Sequence, residues 1–330
     1  NHAIFKCLLF LGAGSVLHST GTRNMEEMGG LIRPMPVTAF CFLIGAVTIS
    51  GLPPLNGFVS EWLTYQSLLA GFGATGGLTR ILFPLAGSML ALTGALAAAC
   101  FVKAFGITFL ALPRGAASRN AHEAPRTMLV GMGCLTAACV ALGFGATWFL
   151  PIFGGMTEQL LGQRVGGNLI TGKGWVLSGG IPRGGTVSTA IIAVGLLILA
   201  GAAVLLVRVT GRNFARQRGP TWDCGLPGLT EENEYTATAF SKPLRMIFSV
   251  LYQPRREIQQ VFDVSPYFPK EIRFESEIEP TFEKRLYVPL EEFILRLSSR
   301  MRTIQAGSIH AYLAYIFVTL VLLLLFGVRK

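Results

Sequence analysis

Charged residues are scarce in this chain, and their scarcity indicates the class of protein. Only 14% of the 330 residues are Asp, Glu, Lys or Arg, against about 25% in an average soluble domain. Hydrophobic residues make up 51%. Apolar runs of about 20 residues are long enough to cross a bilayer as helices. The composition therefore predicts an integral membrane protein rather than a soluble enzyme.

Acidic residues are nearly absent outside one region. Of the 18 Asp and Glu residues, 13 lie between Asp223 and Glu292. The net charge of +10 comes from Lys and Arg, many of them beside apolar segments, as the positive-inside rule produces. The charge therefore predicts contact with a lipid bilayer, and no nucleic-acid partner is needed to explain it.

Motifs for metals, nucleotides and nucleophilic catalysis are missing as well. No CxxC pair or Cys–His cluster occurs, and five of the six cysteines lie in apolar spans, where Cys acts as a small hydrophobic residue. Cys224, in the segment TWDCG at residues 221–225, has no second ligand nearby. No P-loop or catalytic-triad spacing appears either. We expect no catalytic residue, metal or cofactor in this chain.

The apolar pattern predicts an all-α fold, a polytopic transmembrane helical bundle with about six membrane spans. One span is discontinuous, and cytoplasmic amphipathic helices accompany the bundle. The spans are expected at His2–His18, Met35–Gly51 with Gly57–Ala70, Ile81–Leu112, Thr127–Leu150, Thr186–Val207 and Ala311–Val328.

The loop charges predict the orientation. If the spans alternate, the loops near 20–35, 113–126 and 208–307 share one side, whose flanks carry twelve Arg against six Lys or Arg opposite. The first side is therefore predicted to be cytoplasmic, in a prokaryotic inner membrane. Within 208–307, helical stripes run from Phe240 to Leu251 and from Leu290 to Ile304, and a short extended segment alternates from Ile272 to Ile278.

The second span is interrupted at Gly51, Pro53 and Pro54, and Glu61 follows the interruption. Proline removes a backbone donor and clashes with the preceding turn. Freed carbonyls are tolerated in a bilayer only where protein or a water-filled cavity satisfies them. A charge at mid-membrane costs about 2.5–3.5 kcal/mol on insertion scales. A broken helix with a buried acid is typical of an ion or proton site.

Three further ionisable residues accompany Glu61. His2 and Lys6 are four residues apart, about 6 Å on one helix face, and Lys103 is isolated in a later span. Apolar surroundings disfavour the charged forms of lysine and glutamate, so the four groups are predicted to form a proton relay. The alternatives are lysines that snorkel to an interface, a packing histidine, and a glutamate that is a structural ion-pair partner.

The segment His2–Ser15, HAIFKCLLFLGAGS, resembles the HAxFKxLLFLxAGS segment of antiporter-like subunits of respiratory complex I and its relatives. Met28-Gly-Gly-Leu31, Met35-Pro36 and SGLPPLNGFVSE at residues 50–61 continue the resemblance. Together with TWDCG, they look most like the large antiporter-like subunits of group 4 membrane-bound hydrogenases and formate hydrogenlyases.

The resemblance implies that Lys6 and His2 lie on the relay helix of the second antiporter-like repeat, and Glu61 on its broken helix. Residues 1–112 would be the C-terminal part of that repeat, 113–209 two further transmembrane helices, 210–307 a cytoplasmic or interfacial segment, and 308–330 the final transmembrane helix. Since the chain opens inside a hydrophobic segment, we expect residues upstream of it.

The function implied is a proton-translocating membrane subunit, not catalytic by itself, of a hydrogenase, formate hydrogenlyase or NADH dehydrogenase-like complex. Its partners would be other membrane subunits and a peripheral hydrogenase or dehydrogenase arm, with iron–sulfur and nickel–iron centres in those partners. The alternatives are a component of a multisubunit sodium/proton antiporter and a purely structural membrane anchor.

Overall fold

The computed structural model describes most of the chain. The described ranges are residues 1–71, 76–162, 169–171, 174–179, 185–210, 225, 228, 230–252, 254–262, 269–278, 282–302 and 307–327. Except for Gly225, the predicted TWDCG segment lies outside them. The described residues divide into two compact units, Asn1–Phe240 and Ser241–Lys330.

The first unit is a helical bundle with one small sheet. Its helices are α1 (His2–Thr20), α2 (Pro36–Ile49), α3 (Asn56–Ala70), α4 (Gly77–Phe105), α5 (Ala116–Arg119), α6 (Arg126–Phe144), α7 (Ala146–Leu161) and α8 (Thr189–Thr210), with α9 (Ala237–Ile247) beginning at its end. A π-helical turn, Gly106–Leu110, extends α4. Three short antiparallel strands, β1 (Ile170–Thr171), β2 (Val176–Ser178) and β3 (Thr186–Val187), pair in that order.

Beyond α9, the chain forms α10 (Ser249–Tyr252), the antiparallel hairpin β4 (Pro254–Phe262) and β5 (Pro269–Ile278), and helices α11 (Val288–Met301) and α12 (Ile309–Gly327). β5 contains the predicted extended segment. The first predicted amphipathic stripe is split into α9 and α10 at Phe248. The second forms α11, and its last predicted member, Ile304, lies outside the described residues.

The predicted membrane bundle is confirmed as a polytopic helical fold. Among the described residues, five helices are long and apolar enough to cross a membrane: His2–Thr20, Gly77–Leu110, Arg126–Phe144, Thr189–Thr210 and Ile309–Gly327. The broken pair α2 and α3 supplies the discontinuous span. The helix α2 alone, at 14 residues, is shorter than the length of about 20 that a crossing requires.

The fourth predicted span, Thr127–Leu150, is wrong at its C-terminal end. The helix α6 ends at Phe144, where the Gly145 N–H donates to the Ala141 carbonyl at 2.8 Å. A separate helix, α7, begins at Ala146. Residues on both sides of this boundary are apolar, so hydropathy carries no sign of it.

The core of the bundle forms around α2, which packs against α1, α4 and α6. Phe42 of α2 lies 5.4 Å from Phe109, ring centroid to ring centroid, and Phe109 stacks on Phe105 at 5.3 Å. Leu31 and Met35, in the turn that leads into α2, are fully buried in the same cluster. Lipid is as apolar as these side chains, so close packing rather than water exclusion selects this arrangement.

An acidic side chain from another loop caps the start of α2. The Val37 N–H donates to Glu123 Oε2 at 2.8 Å, and the Thr38 hydroxyl donates to Glu123 Oε1 at 2.6 Å. Helix N-termini carry unpaired donors and a partial positive charge, so a carboxylate stabilises them. Glu123 therefore links the turn before α6 to the start of the broken span.

An acidic segment, residues 230–236, folds against the loops that follow α1 and α4. Glu231 pairs with Arg119 at 2.9 Å. Glu234 accepts from the Leu112 N–H at 2.8 Å and lies 3.6 Å from Arg114, whose guanidinium also donates to the Tyr235 carbonyl. The Ser118 hydroxyl donates to the Glu27 carbonyl at 3.2 Å, so the loops 21–35 and 111–125 and the acidic segment lie together at one end of the bundle.

Acidification should loosen this end of the bundle at Glu26. Its carboxylate accepts from the Thr238 N–H at 2.6 Å. Burial raises the pKa of Glu26, but the hydrogen bonds from Thr238, Thr236 and Ala237 outweigh burial and hold that pKa below its ordinary value. A lowered folded-state pKa stabilises the contact above the ordinary pKa of about 4.3, and the stabilisation is lost as the pH falls through the folded-state value.

Limited proteolysis at a series of pH values should therefore show cleavage near residues 225–240 rising in acid. The Glu26→Gln variant should be cleaved faster at neutral pH and should lose the part of the pH dependence that belongs to Glu26. Identical cleavage profiles for the two proteins would contradict this assignment.

Candidate functional site

The break between α2 and α3 is a tight turn with its own hydrogen bonds. The Gly51 N–H donates to the Thr48 carbonyl at 3.1 Å, and the Leu52 N–H donates to the Val47 carbonyl at 3.3 Å. Gly51 has a φ of 65°, a left-handed conformation that favours glycine. Two carbonyls released at the end of α2 are thereby satisfied within the turn, as a membrane interior requires.

Two other helices, α6 and α8, support the break. Gly143 of α6 packs directly on the backbone of Pro54 and Leu55, leaving no room for a Cβ atom. The Thr189 hydroxyl, at the start of α8, donates to the Gly143 carbonyl at 2.9 Å. The position of the break is thus fixed by α6 and α8 as well as by its own turn.

The first residue of α3, Asn56, is completely buried. Its carbonyl accepts from the Asn1 side chain at 3.1 Å, and its amide nitrogen donates to Asn1 Oδ1 at 3.3 Å. These bonds connect the start of α1 to the start of α3. Among the described residues, Asn56 Oδ1 has no hydrogen-bond donor. A buried amide oxygen without a protein donor is a position where an ordered water is expected.

A cavity of about 250 Å³ adjoins the break and contains Glu61. Glu61 lies just over one turn into α3 and is partly buried. Its Oε2 atom lies against Gly51, so the carboxylate points back toward the break. The cavity wall is formed by α1, by the end of α2, by α3 and by α4, at residues His2, Phe5, Thr48, Ile49, Gly51, Gly57, Ser60, Glu61, Thr64, Leu90, Thr93, Gly94 and Ala97.

Four hydroxyl groups line this cavity, and each donates its hydrogen to a carbonyl in its own helix. The acceptors lie four residues upstream, at distances of 2.6–3.2 Å, for Thr48, Ser60, Thr64 and Thr93. Because the hydrogens are used in this way, the oxygens offer lone pairs to the cavity. The wall can accept hydrogen bonds from water, or from a protonated acid.

Of the predicted relay residues, the structure brings His2 and Glu61 to this one cavity. Within the described part of the chain, neither Lys6 nor Lys103 lines it. Lys6 lies one turn after His2 on α1 and is partly buried. Lys103 lies nine residues after Gly94 on α4, about 13 Å along the helix axis. Lys6 and Lys103 thus lie on two different helices, α1 and α4, both of which pack against α2.

Sequence reasoning missed the contribution of α4 to the cavity. Leu90, Thr93, Gly94 and Ala97 recur at helical spacing and form one wall. The available signal was this spacing, i, i+3, i+4 and i+7, with a hydroxyl or small side chain at the last three positions. The small sheet was also missed. It contacts the outer half of α3, where the Gly185 N–H donates to the buried Gln66 side chain at 3.2 Å.

The chemistry available here is proton binding. The cavity brings together a carboxyl group, Glu61, an imidazole, His2, and a wall of hydroxyl groups, and carboxyl and imidazole groups are common general acids and bases. Among the described residues, no group of three or more His, Cys, Asp and Glu side chains is arranged to hold a metal ion.

Comparison with known proteins gives a family match for the residues that build this site. Residues 1–107 match the family model described as "NADH:quinone oxidoreductase/Mrp antiporter, TM". The match includes α1, the broken pair, α4 and part of the π-helical turn, and it therefore contains every residue of the cavity wall.

Two relatives come from Escherichia coli (strain K12). The chain is 34% identical over 331 residues to hydrogenase-4 component B, covering 98% of this chain and 48% of that protein. It is 34% identical over 263 residues to formate hydrogenlyase subunit 3, covering 79% and 40%. The chain thus spans about half the length of the curated relatives it matches.

One solved structure shares the fold. A chain of the membrane-bound sulfane sulfur reductase, an archaeal respiratory membrane complex, superposes with a TM-score of 0.61 at 21% identity. The similarity covers 98% of this chain and 46% of that chain.

The support of the break by α6 can be tested by adding one methyl group. In the Gly143→Ala variant, the new Cβ meets the backbone of Pro54 and Leu55, which cannot move aside as a side-chain end can. We expect a destabilisation of about 1–3 kcal/mol, typical of overpacking, seen as a lower melting midpoint in detergent.

The matched control is Gly133→Ala on the same helix, where nothing lies within 4 Å of the added Cβ. It should leave the midpoint unchanged or slightly raised, since alanine favours helices. Equal midpoints for the two variants would show that α6 does not support the break.

Proposed function

We propose that this chain carries part of a proton-translocation path in a membrane-bound oxidoreductase complex. Its residues 1–107 match the transmembrane domain of NADH:quinone oxidoreductases and Mrp antiporters, so the chain belongs to this antiporter-like family. The observation that carries the proposal is the position of Glu61. Its carboxylate lies against the helix break, in a hydroxyl-lined cavity that it shares with His2.

Proton movement would depend on exchange between Glu61 and water in the cavity. The hydroxyl oxygens of Thr48 and Thr93 can accept from that water, since their own hydrogens bond to backbone carbonyls. His2 can pass a proton to or from the same space. Two charges at 4 Å interact by about 4 kcal/mol at an effective dielectric constant of 20. A gain or loss of charge on a neighbouring group would therefore change the proton affinity of Glu61.

Lys6 and Lys103 are proposed as the more distant members of the relay. They lie outside the cavity wall, so protons would reach them through intervening water or by a shift of charge rather than by direct contact with Glu61. The length of α4 between Gly94 and Lys103, about 13 Å, is too long for one hydrogen bond.

The proposed orientation has the loops 20–35, 113–126 and 208–307 on the cytoplasmic side. The contacts of Glu231 with Arg119, of Glu234 with Arg114 and of Glu26 with Thr238 support placing these loops together. Some of the basic residues used to orient the chain, among them Arg212 and Arg216, lie outside the described residues.

The relatives suggest the surrounding complex. They are named as components of hydrogenase-4 and of formate hydrogenlyase. By analogy, we propose that this chain assembles with other membrane subunits and with a peripheral hydrogenase or dehydrogenase arm. The iron–sulfur and nickel–iron centres would lie in those partners, and this chain would contribute the groups that hold and move protons.

The role of Glu61 is tested by Glu61→Gln in the full-length protein within its complex. The amide keeps the size of the side chain but cannot carry a proton as a carboxyl does. We expect proton translocation in inverted vesicles to fall by about 10²-fold or more, in line with the loss of an acid–base group. Assembly, measured by copurification, should be unchanged. Glu232→Gln, at an exposed acid of the acidic segment, is the control and should keep full activity.

Two alternatives predict different results. A purely structural anchor predicts unchanged translocation in Glu61→Gln vesicles. A sodium/proton antiporter component predicts that translocation depends on sodium in the medium, so vesicles prepared without sodium separate it from a proton path.

A further inference from the structure

The Glu61 carboxylate lies between two glycines that belong to different helices. Gly51, at the end of α2, faces Oε2 so closely that a Cβ there would overlap the oxygen. Gly94, on α4, faces Oε1, and a Cβ there would lie 3.0 Å from it. The planar carboxylate therefore occupies a slot between Gly51 and Gly94, which a side chain at Gly51 would fill and a side chain at Gly94 would narrow.

Gly94 differs from the other glycine on the same face of α4. A Cβ added at Gly87, two turns earlier, has Leu68 Cδ1 as its nearest neighbour at 4.0 Å, an ordinary contact distance. Gly94 has normal helical geometry, so neither a turn nor a positive φ requires glycine there. The proximity of Glu61 is the physical constraint at this position.

We propose that Gly94 is a positioning residue for Glu61, an inference that rests on the proposed proton-carrying role of Glu61. With Gly51 it holds the carboxylate beside the break, so that one oxygen faces the turn and the other faces α4. Proton exchange requires this carboxylate to meet cavity water within hydrogen-bond distance. A displacement of a few tenths of an ångström changes that distance without removing the acid.

The groups around the slot are few. From α1, His2 lines the same cavity. On α3, Tyr65 lies close enough to Glu61 to interact with its charge. On α4, Thr93 precedes Gly94, and its hydroxyl remains bonded to the Met89 carbonyl at 2.8 Å. A methyl group at position 94 would therefore displace the end of the Glu61 side chain, which is flexible, and would leave the backbone where it is.

The first test compares Gly94→Ala with Gly87→Ala in the full-length protein within its complex. Gly94→Ala should fold and assemble, because the atoms that must move are the end of a side chain. Its proton translocation in vesicles should fall by about tenfold, given that a 1 Å misplacement of a reacting group can cost about 10². Gly87→Ala should translocate at the wild-type rate.

A second readout separates positioning from general damage. Labelling of Glu61 by a hydrophobic carbodiimide, which reacts with the protonated carboxyl, can be followed by mass spectrometry over a pH series. Gly94→Ala should displace the pH profile of labelling, and Gly87→Ala should not. The double variant Gly94→Ala with Glu61→Asp shortens the acid by one methylene. It should therefore translocate faster than Gly94→Ala alone.

The outcomes distinguish this inference from the proposed function. If Glu61→Gln abolishes translocation while Gly94→Ala keeps both the wild-type rate and the wild-type labelling profile, Gly94 does not position the acid and the proton path stands. If Glu61→Gln leaves translocation intact, the proposed function fails, and a displaced labelling profile in Gly94→Ala would still support the slot. A double variant no faster than Gly94→Ala would count against the slot.

Discussion

A helix break frees backbone N–H and C=O groups, and inside a membrane these groups must find hydrogen-bond partners other than bulk water. The geometry of the whole site depends on this requirement. The chain meets it locally, through the bonds of Gly51 to Thr48 and of Leu52 to Val47. Helices outside the broken span also hold the break in place. Gly143 of α6 packs on it, and the Thr189 hydroxyl donates to the Gly143 carbonyl. The break is therefore a rigid corner, and the side chains that leave it have defined positions.

This rigidity makes a partly buried acid useful. A carboxylate on a mobile segment would find water or a cation and lose its special environment. Glu61 instead extends from a short helix fixed at both of its ends, by the Asn1–Asn56 bonds at its start and by the Gln66 contact with the small sheet further along. The cavity then supplies hydroxyl oxygens as acceptors, and α4 closes it without adding a charge of its own.

The other acids in the first unit illustrate a different use of charge. Glu123 stabilises the first turn of α2, Glu26 binds the first turn of α9, and Glu234 holds Arg114 and the Leu112 N–H. Each accepts from backbone donors or pairs with a base at an end of the bundle. Among the described residues, Glu61 caps no helix and has no ion-pair partner, and its carboxylate lies against Gly51 and Gly94 in a cavity whose hydroxyl groups donate to carbonyls of their own helices. The contrast supports the proton chemistry that we propose for Glu61 over a capping role.

The amino-acid sequence by itself determined the membrane class, the helical spans and the interruption of the second span, because hydropathy and proline act locally along the chain. It also predicted the acid that follows the interruption. The end of α6 at Phe144 was not predictable, since apolar residues continue across it. The cavity wall that α4 contributes was not predictable either, and neither was the separation of Lys6 and Lys103 from the cavity. Which residues on different helices meet is decided by helix packing, and helix packing depends on small residues far apart in sequence, such as Gly51, Gly94 and Gly143. Only the tertiary structure brings these together, because backbones approach closely only where the side chains of both helices leave room.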